Sequence, residues 1–345
     1  MPPHYMKHTR RSFLKTLATS GTTSAMLGSA RASTTASPSG NFRHFHFVQI
    51  DVFTSQRLQG NPLSVFTDAR LLTDSEMQDL ARETNLQETT FVLPRDPTVE
   101  AHEGVKVRIF TPDKELPFGG HPTLGTANVL RNLRLATSRA KAHDASDSTI
   151  VLDLQVGKVP VSFHEEADGT FGEMRQVAPS FGRVHDRSVV AEALGLDGAE
   201  LEPDLPIQTV STGLPFIVVP LKRLSTLHSL HDFWKGYDYL KRQQAEVPDF
   251  YFITRDTGDP KVGLRARCIY PVGEDPATGS GAGCTSAWMV KYGVARPDET
   301  VRILQGVEVK RPSELFVRSS KNGTDISNVR VGGHAVPIME GEVSL

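Results

Sequence analysis

Apolar and polar positions alternate along this chain in short runs, and the runs recur in the same order in its two halves. Phe45 to Phe53 (FHFVQIDVF) follows the period of two that a half-buried strand needs, and Leu63 to Phe66 supplies a second strand. Thr73-Asp74-Ser75-Glu76 has the spacing of a capping box. It opens a helix carrying Met77, Leu80 and Ala81 on one side and ending near Asn85. Strands follow at Thr90–Leu93 and Val105–Phe110. A Gly-Gly-His-Pro-Thr loop then leads into a helix predicted from Leu124 to about Asn132. The polar stretch Thr137–Ser148 reads as a loop, and Thr149–Leu154 with Lys158–Phe163 reads as a hairpin turning at Gly157.

The second half repeats this order. Gly213-Leu214-Pro215 opens an apolar strand to Val219 as Gly60-Asn61-Pro62 opens the one to Phe66. A helical stretch from Leu227 to about Gln244 follows. Phe250–Ile253 stands where Thr90–Leu93 stood, and Leu264–Tyr270 before Pro271 where Val107–Phe110 stood before Pro112. DPATG then replaces HPTLG, ahead of a helix from about Ser280 to Tyr292. The offsets are 153 (Gly60 to Gly213), 159 (Pro112 to Pro271) and 154 (His121 to Asp275). Near-constant spacing over ordered elements predicts an internal duplication, with two long copies and not a solenoid. The expected organisation is two α/β domains, 44–178 and 179–345, with the last strand free to return to the first domain.

The N-terminus is set apart. Thr9-Arg10-Arg11-Ser12-Phe13-Leu14-Lys15 precedes a mildly apolar stretch that ends in Ala30-Arg31-Ala32, a small-x-small cleavage pattern before Ser33. Residues 1–32 resemble a twin-arginine export signal, and 33–43 read as a flexible leader. The plain alternative is a disordered basic N-terminus. With the signal, the mature chain works outside the cytoplasm, in the periplasm or beyond.

Composition narrows the partners. A chain of 345 residues with a net charge of -2 has no electrostatic footprint for nucleic acid. No later apolar run reaches the roughly 18 residues that a membrane span requires, so no membrane is expected once the signal is removed. Cys268 and Cys284 are the two cysteines; they read as small buried apolar side chains, and the sequence alone cannot place them for a bridge.

The duplication brings two phrases into register: Gly119–Ala127 (GGHPTLGTA) and Asp275–Gly283 (DPATGSGAG). Each sets an ionisable residue, His121 or Asp275, before a proline at a helix start. Helix N-termini offer unpaired N–H groups and the positive end of the dipole, so two facing one cleft would bind a small carboxylate. Gly119, Gly120, Gly279 and Gly281 would let a ligand approach the backbone, or serve tight turns only. A bound carboxylate favours loss of a proton from an adjacent C–H, which requires a base. Glu88, between a helix end and an apolar strand, could be half buried with a raised pKa. A solvated loop glutamate is the alternative.

GNPLSVF, NLQETTFVLP, RIFTPDKELPFGGHPTLGTA, the STGLPF stretch containing Gly213, and EDPATGSGAG together resemble the PhzF-like phenazine-biosynthesis family. That family belongs to the diaminopimelate-epimerase fold superfamily, and the resemblance runs from about Phe45 to the C-terminus. It implies an α/β (α+β) fold of two pseudo-symmetric domains, each a curved sheet around a central helix, and a homodimer. It also implies cofactor-free isomerisation of a small carboxylate-bearing substrate by proton transfer. Carried onto this chain, it makes Glu88 the acid/base, with His121, Asp275 and Ser280 shaping the pocket and assisting. Gly119, Gly120, Gly213, Gly279 and Gly281 would line the substrate. The superfamily's amino-acid epimerases use one cysteine at each of these loops; here neither loop offers a thiol, which excludes two-thiol racemisation.

Other chemistries fit less well. Gly279–Gly283 lacks the spacing of a dinucleotide loop, and no phosphate loop or Gly-x-Ser-x-Gly elbow occurs. His44 and His46 share one side of a strand with no further ligands beside them, the histidines read as scattered over the surface, and His334, next to Gly332-Gly333, reads as a turn residue. No metal or other cofactor is expected. Two functions stay open: a cofactor-independent isomerase, and an exported small-carboxylate binding protein of the same fold without turnover.

Overall fold

Thr73 caps its helix as the spacing predicts: its hydroxyl accepts from Glu76 N at 3.3 Å, and the Glu76 carboxylate accepts from Thr73 N at 2.8 Å. The computed structural model describes residues 42–138, 149–231, 238, 242, 248–270 and 273–345. The export signal, nearly all of the leader, most of the predicted 137–148 loop and most of the helical stretch after Leu227 lie outside the described residues.

The first half contains β1 (His44–Val52), β2 (Asn61–Phe66), α1 (Asp74–Thr84), β3 (Thr89–Leu93), α2 (Pro97–Glu103), β4 (Val105–Phe110) and β5 (Glu115–Leu116). It continues with α3 (Gly120–Ser138), β6 (Thr149–Leu154), β7 (Gly157–Glu166) and β8 (Gly169–Arg175). The second half contains β9 (Ser180–His185), α4 (Arg187–Leu194), β10 (Ile207–Ser211), β11 (Pro215–Leu221), α5 (Leu224–Ser229), β12 (Asp249–Thr254) and β13 (Leu264–Tyr270). It closes with β14 (Gly273–Asp275), α6 (Gly279–Lys291), β15 (Val301–Gln305), β16 (Ser313–Asn322) and β17 (Asp325–Ser344).

Strand pairing repeats between the halves. β1–β2 is antiparallel, β2–β3 parallel, β3–β4 antiparallel, β4–β6 parallel, and β6–β7 and β7–β8 antiparallel. β10–β11, β11–β12, β12–β13, β13–β15, β15–β16 and β16–β17 follow the same series. The halves are joined where β8 pairs with β17, from Arg175↔Arg330 to Phe171↔His334. β17 then runs on to pair with β1, and β9, just after β8, pairs with β10. Each half is thus closed by chain that continues from the other half's last strand.

Each half wraps a helix. α3 packs against β1, β2, β6 and β17, and α6 against β10, β11, β16 and β17. Every residue of α6 from Gly279 to Val290 is buried, so this helix is a core element and not an amphipathic surface one. Truncating fully buried Trp288 to Ala would cost about 3–5 kcal/mol. Outer layers repeat too: α1 covers a cluster around Phe66, Phe91 and Phe110, while α4 and α5 cover one around Ile217, Val219 and Phe252.

Three expectations change. α3 begins at Gly120, four residues before the predicted Leu124, and runs to Ser138. Pro122 is tolerated in its first turn because first-turn N–H groups have no intrahelical partner to lose. His121 is therefore on the helix, whereas Asp275 ends β14, ahead of the Thr278 N-cap of α6. His334 is not a turn residue: it lies within β17, its Nδ1 is 3.2 Å from Thr170 O, and its ring packs edge-on to Phe171. Gly332 and Gly333 beside it make room for the Phe171 and Phe53 rings. Nor are the histidines all on the surface, since His121 and His185 are buried.

Candidate active site

α1 ends at Asn85, whose φ of 49° places it in the left-handed region that terminates helices. The reversal delivers Gln87 and Glu88 to the start of β3. Glu88 keeps 17% of its side chain accessible, but its Oε2 is buried and lies 3.4 Å from His121 Nε2. His121 comes from the first turn of α3, and Asp275 arrives from the other half of the chain.

Asn61, the first residue of β2, ties these parts together. Its Nδ2 donates to Asp275 Oδ1 at 2.5 Å and to Ala277 O at 3.0 Å, and stands 3.0 Å from His121 Nδ1. Asp275 Oδ2 accepts from Thr278 Oγ1 at 2.6 Å. Gln305 Nε2 donates to Asp275 O at 2.8 Å and to Thr278 Oγ1 at 2.9 Å, fixing the loop before α6. Gln176 Nε2 donates to Gly279 O at 3.0 Å and its Oε1 accepts from Thr212 Oγ1 at 2.6 Å.

The first turns of α3 and α6 meet at glycine. A Cβ on Gly120 would lie 2.5 Å from Gly279 Cα and Ser280 N, so no larger residue fits there without moving the backbone. Ser280, in the first turn of α6, is buried beside this contact. Gly213 and Gly281 have packing reasons of their own: their missing Cβ atoms leave room for the rings of Phe118 and Tyr251. At Gly119 a Cβ would meet the Pro122 ring.

Burial dominates the electrostatics. It holds the Glu88 carboxyl well above its ordinary range, and the charges of Asp275 and Asp249 push the same way. Asp275 is pushed up to about 6 by burial, against hydrogen bonds from Thr278, Ala277 and Asn61 that favour its anion. Asp249, at the start of β12, also rises to about 6 through burial and the Asp275 charge, with Lys114 opposing. Burial lowers His121 to about 3, so its ring is neutral at pH 7. The site therefore sets a carboxyl that resists ionisation against a neutral imidazole, an arrangement suited to passing one proton out and back.

Glu88, His121, Asp275 and Ser280 thus stand around the paired helix starts. The sequence reading did not single out Asn61, Asp249, Thr278, Gln305 or Gln176. Asn61 and Thr278 sit inside the GNPLSVF and DPATG phrases, so the motifs contained that signal; Gln176, Asp249 and Gln305 are brought in only by the fold. Cys268 and Cys284 are free and buried, and burial raises both thiols, Cys284 to about 12. Among the described residues no group of three or more His, Cys, Asp or Glu side chains could hold a metal ion, and no helix is long and apolar enough to cross a membrane.

The family model for phenazine biosynthesis-like proteins matches residues 50–341. The chain is 34% identical over 304 residues to trans-2,3-dihydro-3-hydroxyanthranilate isomerase of Pseudomonas aeruginosa, covering 87% of this chain and 99% of that one. Among solved structures it is similar to a Bacillus anthracis phenazine biosynthesis protein of the PhzF family, with a TM-score of 0.74 at 26% identity, over 87% of this chain and 99% of that one. A predicted epimerase of Pseudomonas aeruginosa gives a TM-score of 0.70 at 32% identity, again over 87% and 99%. Motifs, pairing order and these likenesses agree: the chain belongs to the PhzF-like phenazine biosynthesis family.

Proposed function

We propose that this isomerase moves a proton on a small carboxylate-bearing substrate without a cofactor, with Glu88 as the acid/base. The observation that carries the reading is the buried Glu88 Oε2, set 3.4 Å from a neutral His121. The substrate carboxylate would rest against the first turns of α3 and α6, where the helix dipoles favour a negative charge. A carboxyl kept protonated by burial gives its proton to one carbon of the substrate; the resulting carboxylate takes a proton from another. The net change is a 1,3-shift. One carboxyl group suits that outcome better than stereo-inversion, which calls for an acid and a base on opposite faces.

The relative's name supplies a first compound to test, trans-2,3-dihydro-3-hydroxyanthranilate, followed by other cyclic amino and hydroxy acids. The experiment is deuterium incorporation from D2O, followed by proton NMR. Wild type is expected to wash label into one C–H position, and Glu88→Gln to incorporate none while still binding. Label entering at the wild-type rate in Glu88→Gln removes Glu88 from the mechanism. Binding without label in wild type points to the carboxylate-binding alternative.

The repeated strand-pairing series supports a boundary between two homologous domains near residue 178. Family resemblance supports a homodimer, which light scattering would test. The Arg10-Arg11 motif supports export by the twin-arginine route, and Lys at both positions is expected to retain the protein in the cytoplasmic fraction.

A further inference from the structure

Asn61 is fully buried, and its carboxamide nitrogen has two acceptor oxygens, Asp275 Oδ1 and Ala277 O, and the ring nitrogen His121 Nδ1 within 3.0 Å. Its Oδ1 is buried and has no hydrogen-bond partner among the described residues. Rotating the carboxamide by half a turn would set Oδ1 against the Ala277 carbonyl and the Asp275 carboxylate, which have no hydrogen to offer it. The orientation of Asn61 is therefore dictated by its surroundings and is not an arbitrary assignment of O and N.

That orientation has a consequence for the imidazole. An amide nitrogen donates and does not accept, so an Nδ1–H on His121 would place two donors 3.0 Å apart. Nδ1 must carry the lone pair, and a neutral ring then holds its one hydrogen on Nε2, 3.4 Å from Glu88 Oε2. We infer that Asn61 is a positioning residue that locks His121 in the Nε2–H form, so that the ring nitrogen nearest Glu88 is the one that carries the hydrogen. The same carboxamide holds Asp275, so it fixes groups from both halves of the chain in one register.

This inference rests on Glu88 as acid/base for its catalytic meaning, but not for its structural content. When Glu88 gives up its proton, an Nε2–H 3.4 Å away sets a positive dipole end near the carboxylate and stabilises it. The other tautomer would turn a lone pair toward that carboxylate and disfavour it. Asn61 is fully buried and so acts through His121.

The test uses the full chain labelled with 15N-histidine. Long-range 1H–15N correlation spectra separate a ring nitrogen bearing hydrogen from one bearing a lone pair, and His121→Asn identifies the His121 signals by their loss. Wild type is expected to show His121 with hydrogen on Nε2 only. Asn61→Ala is expected to give mixed tautomers, and Asn61→Asp, whose side chain accepts, to draw the hydrogen to Nδ1. Deuterium wash-in should fall at least about 100-fold in both, the lower end of what a positioned acid–base group contributes. A wild-type His121 bearing its hydrogen on Nδ1 overturns the inference, whether or not either variant folds. So does an Asn61→Ala protein that keeps a pure Nε2–H signal. A wild-type chain with the Nε2–H signature that exchanges none of the acids supports this assignment and counts against Glu88 as acid/base.

Discussion

Glu88 Oε2 and His121 Nε2 stand 3.4 Å apart, and among the described residues neither atom has a hydrogen-bond partner. Two buried polar atoms left unsatisfied cost stability, on the order of 1–3 kcal/mol each. Structure that serves only the fold tends to remove such atoms. Here they face each other at the paired helix starts, where a bound substrate could meet them.

The first prediction concerns stability in acid. Burial lowers His121 from 6.5 to about 3, so between those values the unfolded chain binds a proton that the folded chain refuses. Stability from this group is full above 6.5 and is lost as pH falls toward 3. Glu88 and Asp275 act in the opposite sense. Their folded pKa values are raised, so the folded chain holds protons that the unfolded chain releases, and stability falls as pH rises through the window, for Asp275 from 3.8 to about 6. Denaturation midpoints measured from pH 7 to pH 4 should therefore fall less in His121→Asn than in wild type. Parallel curves would mean that the imidazole is not held neutral by the fold.

Asp275 makes a second, separable prediction. Its negative charge helps to raise the Glu88 pKa, so Asp275→Asn should let Glu88 ionise at lower pH. The limb of the pH–rate profile belonging to Glu88 should move toward acid. A limb that stays in place would show that the Asp275 charge does not contribute to holding the carboxyl protonated.

Why the sequence reached Glu88, His121 and Asp275 but not Asn61 is instructive. His121 and Asp275 precede prolines in two matching phrases, and Glu88 is reached through the family resemblance, whereas Asn61 sits in Gly-Asn-Pro and reads as the opening of a strand. Its role depends on Asp275, 214 positions away, and no local pattern encodes that distance. The same limit explains His334. Beside two glycines it reads as a turn, yet those glycines exist because the Phe171 and Phe53 rings occupy the space of a Cβ. Local periodicity did predict β1 to β4, α1 and the β6–β7 hairpin, where pattern and pairing agree. It missed α2, which buries none of its side chains and so carries no apolar stripe.

The contact between the two central helices is open to a direct test. Gly120→Ala puts a methyl group 2.5 Å from backbone atoms of Gly279 and Ser280, and backbone yields less readily than a flexible side chain. The expected cost is about 1–3 kcal/mol, with a loss of exchange activity as the helix starts are forced apart. Gly198→Ala is the control, since nothing lies within 4 Å of the methyl group it would introduce, and it should stay within about 0.5 kcal/mol of wild type. Equal midpoints for the two variants in chemical denaturation would show that the helix starts have room to separate.

The cysteines give the last prediction, and it separates this chain from a two-thiol epimerase. Such an enzyme needs one thiolate and one thiol facing each other across the substrate, each ionising near neutral pH. Here Cys268 lies on β13 and Cys284 within α6, both buried, with both thiols raised by burial. Cys284 also lies 3.5 Å from Thr212 Oγ1 and donates to Leu214 O at 3.5 Å, contacts that hold it in the core. A thiol so placed is a slow nucleophile and a poor base. The native protein should therefore resist a thiol-specific disulfide reagent until denatured, and then release two equivalents. Replacing both cysteines by alanine should cost some stability through lost packing, yet leave deuterium wash-in within about threefold of wild type at a temperature where the variant is folded. Loss of exchange in a folded double variant would transfer the proton chemistry from Glu88 to sulfur.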